Sequence, residues 1–155
     1  MERLELRRHA PRDGERDALS ARGRALAEDV GRARGLAYDA VFVSPAERAA
    51  ETAAWILRGA GQPLPPEHAV IPGLAGQDAS GGSPEGMAAG VRALLDQVPD
   101  GGIGLAISHM PLVERAAAGL VGRTVEPMRE CEGLLITRGD DGTITVDELR
   151  LPANA

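Results

Sequence analysis

Apolar and charged residues alternate at the start of the chain: Leu4 and Leu6 are separated by Glu5 and followed by Arg7, Arg8 and His9. A period of two is the mark of a strand, expected over residues 3–8. A charged loop follows, and Ser20 is placed to cap a helix that carries Leu26 and Val30 and stops at Gly35. Residues 39–44 form a short continuous apolar run, which fits a strand buried on both faces. Pro45 then opens a helix with Ala49, Ala53, Ile56 and Leu57 on one side. A proline-rich connection spans 62–66, a short strand 69–71, and a glycine-rich loop 72–82. Ser83, Pro84 and Glu85 give cap, first-turn proline and first-turn acid for a helix whose stripe is Met87, Val91, Leu94, Leu95 and Val98. Residues 103–108 read as another buried strand ending in His109, and Pro111 starts a helix to Gly122. Two apolar segments, 133–138 and 143–149, flank Gly139, Asp140, Asp141 and Gly142, the signature of a hairpin.

The alternation of strands and helices predicts a mainly parallel α/β sheet in three layers (α/β/α), with the C-terminal hairpin adding antiparallel strands. With 155 residues, no repeat and no linker-like stretch, one domain over residues 1–155 is expected.

Composition changes this picture little. Aromatics are 2% of the residues, so the core must be aliphatic. All 17 basic side chains are arginine. A net charge of −6 argues against nucleic acid as a partner but leaves room for a local basic pocket. The single cysteine, Cys131, allows no internal disulfide and no cysteine-rich metal site, and it reads as a small buried hydrophobe. No segment has the length and apolarity of a membrane helix or of a signal-peptide core, so a soluble cytoplasmic protein without membrane contact is expected.

Three predicted strands end in functional side chains: Arg8-His9, then Ser44 with Arg48 one turn on, then Ser108-His109. In a parallel sheet these ends share one rim, where open α/β sheets bind ligands. Two arginines and two imidazoles make a pocket for a dianion, since the guanidinium fork matches phosphate oxygens. A neutral imidazole can also attack phosphorus and carry the phosphoryl group covalently.

Arg8-His9-Ala10 resembles the Arg-His-Gly signature of the histidine phosphatase superfamily, which has the phosphoglycerate mutase-like fold. Leu19-Ser20-Ala21-Arg22-Gly23 is similar to that family's first-helix start. Ser44-Pro45-Ala46-Glu47-Arg48 with Thr52-Ala53 resembles its Ser-x-x-x-Arg-x-x-x-Thr-Ala element. Ser108-His109-Met110-Pro111-Leu112-Val113 resembles its second-histidine motif, in a form most similar to the short SixA-type phosphohistidine phosphatases. The resemblance spans nearly the whole chain. It implies a phosphatase with His9 as nucleophile and Arg8, Arg48 and His109 binding the phosphoryl oxygens. It further implies a contact from the Met110 backbone N–H and no metal or other cofactor. The substrate it implies is phosphohistidine on a protein or a small phosphorylated molecule. Within the class, a small-molecule phosphomonoesterase is the runner-up. From a different class, a non-catalytic phosphate- or phosphoprotein-binding module could keep the same pocket.

Two departures from the family pattern stand out. Where many members carry an acid to protonate the leaving group, this chain has Gly73; Asp78 and Glu85 lie downstream as substitutes. Where relatives often place an arginine three residues before the first-helix Ser/Thr, this chain has Asp17, with Arg16 beside it as an alternative phosphate ligand. Strand alternation turns Arg7 away from the site. Ser44 and Thr52 read as supporting or packing groups, Glu114 and Arg115 as a solvated helix face, and the charged run 126–132 as a segment that could border the pocket.

Overall fold

The computed structural model describes residues 1–63 and 68–153. Its elements, in chain order, are β1 (Glu2–Arg8), α1 (Ala21–Arg34), β2 (Ala40–Val43), α2 (Glu47–Gly59), β3 (Ala69–Val70), a 3-10 turn (Pro72–Ala75), α3 (Pro84–Leu95), β4 (Ile103–Ser108), α4 (Leu112–Val121), β5 (Gly133–Arg138) and β6 (Ile144–Leu149). Part of the proline-rich connection expected at 62–66 lies outside the described residues. The strands form one sheet in the order β3-β2-β4-β1-β5-β6. The first four run parallel; β5 is antiparallel to β1, and β6 to β5. This is the α/β/α phosphoglycerate mutase-like architecture expected, with the hairpin at one edge.

Each strand face has its own core. Leu4, Leu6, Phe42 and Ala106 pack with Met87 and Val91 of α3 and Val113 and Ala117 of α4. Val41, Val43, Leu105 and Ile107 pack with Ala27 and Val30 of α1 and Ala53 and Ile56 of α2. Helices therefore cover both faces, and the sheet is sandwiched. The α1–α2 contact is close because both helices present glycine at the crossing: a methyl at Gly31 would collide with the Ile56 carbonyl, and one at Gly59 with the Glu28 carbonyl.

The predicted caps form. Ser20 Oγ accepts from Gly23 N, Gly35 closes α1 with φ 59°, and Ser83 Oγ accepts from Gly86 N. One segment differs: residues 72–75, expected as loop, form the 3-10 turn, with Pro72 in its first turn and Gly76 closing it at φ 69°. A single short turn leaves no apolar period to read. Among the described residues, no helix is long and apolar enough to cross a membrane.

Candidate active site

Sheet register brings the three strand ends together. Arg8 pairs with Ser108, and Val43 with Ile107. His9 N donates to Ser108 O (3.1 Å) and Ser44 N to Ile107 O (3.1 Å), so His9, Ser44 and His109 leave the sheet at one level. The rings of His9 and His109 lie 5.3 Å apart, tilted by 59°.

His9 is 6% exposed. Its Nδ1 lies 2.8 Å from the Ala10 carbonyl. A carbonyl only accepts, so Nδ1 carries the proton and Nε2 is left with its lone pair. Burial pulls the His9 pKa below its ordinary value. The Ala10 bond opposes this, but the charges of Arg48, Arg8 and Arg12 add to the lowering. His9 is thus a neutral imidazole at pH 7.

His109 is held in the opposite tautomer. Its Nδ1 faces Arg48 Nη2 at 3.4 Å, and its Nε2 faces Ser44 Oγ at 2.7 Å. Guanidinium nitrogens only donate, so Nδ1 accepts and Nε2–H donates to Ser44. Burial lowers the His109 pKa to about 4, with help from His9 and Arg48. Thr52 ties this side to the end of β1: its Oγ1 accepts from Ala10 N (2.9 Å) and donates to Arg48 O (2.7 Å).

Arg8 is fixed from the far end of the chain. Its Nη1 donates to Met128 O (2.8 Å), and Glu130 lies 3.8 Å from Nη2. Cys131 N, at a left-handed φ of 68°, donates to both Arg8 O and His9 O. The 126–132 segment therefore grips the end of β1. Glu114 is not the solvated residue expected: half-buried, it accepts from Met128 N (3.2 Å) and supports that grip. Arg7 lies on the opposite face from Arg8, in a buried network in which Glu5 accepts from Arg7 (2.9 Å), Tyr38 (3.0 Å) and Arg34 (2.8 Å), and Arg7 reaches Cys131 O. No local sequence pattern announces these long-range pairs.

Beside the histidines opens a cavity of about 600 Å³ lined by Asp17, Arg48, Gln77, His109, Met110 and Arg115, among others. Arg48 Nε and Arg8 Nε are both buried and, among the described residues, without a hydrogen-bond partner. Two unpaired guanidinium N–H groups at one rim are donors suited to an anion. Other predicted residues fall elsewhere. Arg16 is exposed and pairs with Asp13 (3.4 Å). Gly73 and Asp78 line a separate, smaller cavity, and a Cβ at Gly73 would sit 2.7 Å from Asp78 Oδ2. Glu85 stands in the first turn of α3. The carboxylate beside Arg48 is instead Asp17. Its Oδ1 accepts from Arg48 N and Nη1 (3.0 Å each), and its Oδ2 from Glu47 N (2.9 Å). Asp17 thereby caps α2, which begins at Glu47 rather than at Pro45 and has no side-chain cap of its own.

Comparison with known proteins agrees with the motifs. A family model described as the histidine phosphatase superfamily, branch 1, matches residues 6–74. No curated protein sequence matches the chain. Among solved structures, the protein histidine phosphatase SixA, complexed with tungstate, is similar at TM-score 0.73 and 24% identity over 96% of each chain. A phosphoserine phosphatase mutant from Entamoeba histolytica, in complex with phosphoserine, matches at TM-score 0.74 and 16% identity, over 96% of this chain and 97% of that one. A phosphoglycerate mutase from Bacillus anthracis matches at TM-score 0.76 and 14% identity, over 94% and 91%. The histidine phosphatase superfamily model thus matches the N-terminal part of the chain, and the fold is similar to that of these proteins over nearly the full length.

Proposed function

We propose that this chain is a phosphatase that works through a covalent phosphohistidine on His9. The observation that carries this reading is the Nδ1–H bond from His9 to the Ala10 carbonyl. It presents a neutral Nε2 lone pair beside two guanidinium groups that keep an unpaired N–H. The lone pair attacks phosphorus, the P–O or P–N bond to the leaving group breaks, and the leaving group departs with the electron pair. Water then attacks the phosphohistidine, the N–P bond breaks, and phosphate leaves with His9 neutral again. Arg8 and Arg48 offset the charge on the equatorial oxygens, the electrostatic positioning on which phosphoryl transfer depends. Neutral His109 lines the same cavity, and its Nδ1 lone pair holds the Arg48 guanidinium in place there. Met110, on the cavity wall, offers its backbone N–H.

The substrate is phosphohistidine or a small phosphomonoester. The carboxylate lining the cavity, Asp17, is bound to Arg48 and held ionised, so it is a poor proton donor. A phosphorylated imidazole protonates on its own ring and needs no acid from the protein, which favours it over an alkyl ester.

The test is phosphoenzyme trapping. The chain and its His9→Ala variant are incubated with labelled phosphohistidine peptide or aryl phosphate and quenched in base. The expected label is base-stable, acid-labile, absent from the variant and formed faster from phosphohistidine. Phosphate binding without label or turnover from either donor would make the chain a binding module; equal rates on simple alkyl esters would sink the substrate preference.

A further inference from the structure

Asp17 makes the contacts that a phosphoryl group would be expected to seek. Its carboxylate takes two amide N–H groups at the start of α2 and one arm of the Arg48 guanidinium, and it lines the cavity that holds His109. Helix N-termini and guanidinium groups are donors for phosphate as they are for carboxylate. Asp17 is also half open to solvent, with 46% of its side chain exposed. It rides on a loop closed by Ser20 N to Pro11 O, Asp13 N to Ala18 O and the Arg12–Leu19 bridge. The loop is therefore shaped to deliver a carboxylate to this spot. Burial alone would raise the Asp17 pKa, but the Arg48 and Glu47 amides and the Arg48 guanidinium outweigh it, and the group stays charged.

Building on the phosphatase reading above, we infer that Asp17 determines specificity at the phosphoryl site as a built-in competing anion: it holds the Nη1 arm of Arg48, and a dianion bound at the remaining N–H groups competes with it for that arm. The arrangement weakens inorganic phosphate, the reaction product, as well as substrate. Asp17 acts through Arg48 and is a positioning residue, not a reacting one.

The inference separates from a purely structural capping role by sign. Loss of a cap loosens α2 and Arg48 and weakens anion binding. Removal of a competing charge tightens it. Isothermal titration with inorganic phosphate is compared for the unaltered chain, Asp17→Asn, Glu47→Gln and Arg48→Ala, with thermal unfolding of each as a check on folding. Asparagine keeps an acceptor oxygen for one of the two amides and removes the charge. Asp17→Asn is expected to bind phosphate about fivefold more tightly, the upper scale of one exposed ion pair. Glu47→Gln, which removes a neighbouring charge from the same helix, is expected to change binding less than about twofold, and Arg48→Ala to lose binding. Equal or weaker binding by Asp17→Asn, or equal tightening by Glu47→Gln, overturns the inference and leaves the site standing. Binding unaffected by Arg48→Ala, or absent from all four proteins, overturns the site itself.

Discussion

Ser44 Oγ and His109 Nε2 lie 2.7 Å apart, and this one contact, with Arg48 on the other ring nitrogen, sets the proton of His109. The two site histidines are therefore opposite tautomers: His9 is protonated on Nδ1, His109 on Nε2. With three histidines in the chain, imidazole nitrogen spectra can resolve both. At pH 7 neither ring is expected to be an imidazolium. Ser44→Ala is expected to release His109 into a mixture of tautomers while His9 is unchanged. An imidazolium signal from His9 at pH 7 would contradict the lone pair that the proposed attack on phosphorus requires.

Acid is expected to destabilise the fold through His109. An unfolded histidine takes a proton near pH 6.5, whereas His109 in the fold takes one at about 4. Between those values the unfolded chain binds more protons, so stability falls as pH drops through that window and has no slope from this group above it. The depressed His9 acts in the same direction. Urea midpoints at pH 7 and pH 5 measure the slope, and His109→Gln is expected to reduce it. A midpoint indifferent to pH in the unaltered chain would show that His109 titrates normally.

Thr52→Val keeps the shape of a fully buried side chain and removes its hydroxyl. The Ala10 amide and the Arg48 carbonyl both lose a partner. The expected loss is roughly 1–3 kcal/mol, the cost of leaving buried polar groups unmade. Equilibrium denaturation gives the figure. Phosphoenzyme formation is expected to slow as well, because the carbonyl of that same Ala10 orients His9.

The buried Glu5–Arg7 pair predicts a non-additive result. Glu5→Leu strands the Arg7 charge, with the Cys131 carbonyl as its remaining hydrogen-bond partner, and is expected to cost about 3–5 kcal/mol. Adding Arg7→Met removes the stranded charge and is expected to recover part of that loss. Additive costs in the double-mutant cycle would show that the two groups do not interact.

Cys131 is expected to be inert. Burial pushes its thiol up to about 12, and the residue is fully enclosed. Alkylation of the native chain at pH 8 is expected to run at least about a hundredfold slower than in urea, since only the thiolate reacts. Rapid native labelling would mean that the 126–132 segment opens readily.

Local pattern made the strand ends legible. Arg8-His9, Ser44 and Ser108-His109 each close an apolar run, and each run is a strand because buried parallel strands leave no other signature. The caps at Ser20, Gly35 and Ser83 were legible for the same reason: the capping group is within four residues of what it caps. What could not be read joins distant residues. Asp17 appears in the sequence as a substitution in the family pattern; only the fold shows it capping α2 from 30 and 31 residues away. Glu114 looks like any surface acid until Met128 is seen beside it. Glu5 and Arg7 look like strand residues facing solvent, because nothing in a β1 pattern says that Tyr38 and Arg34 wait on that face.

The hold of Met128 and Cys131 on Arg8 and His9 also fixes when the site comes into being. Strand β1 has no sheet neighbour until β4 and β5 exist, and the hold on Arg8 and His9 is incomplete until the 126–132 segment is made. A ribosome must therefore deliver β4, β5 and the segment between them before Arg8 and His9 are held in place. Until then the two side chains hang on an unpaired strand, and the order of synthesis makes the site a late product of folding.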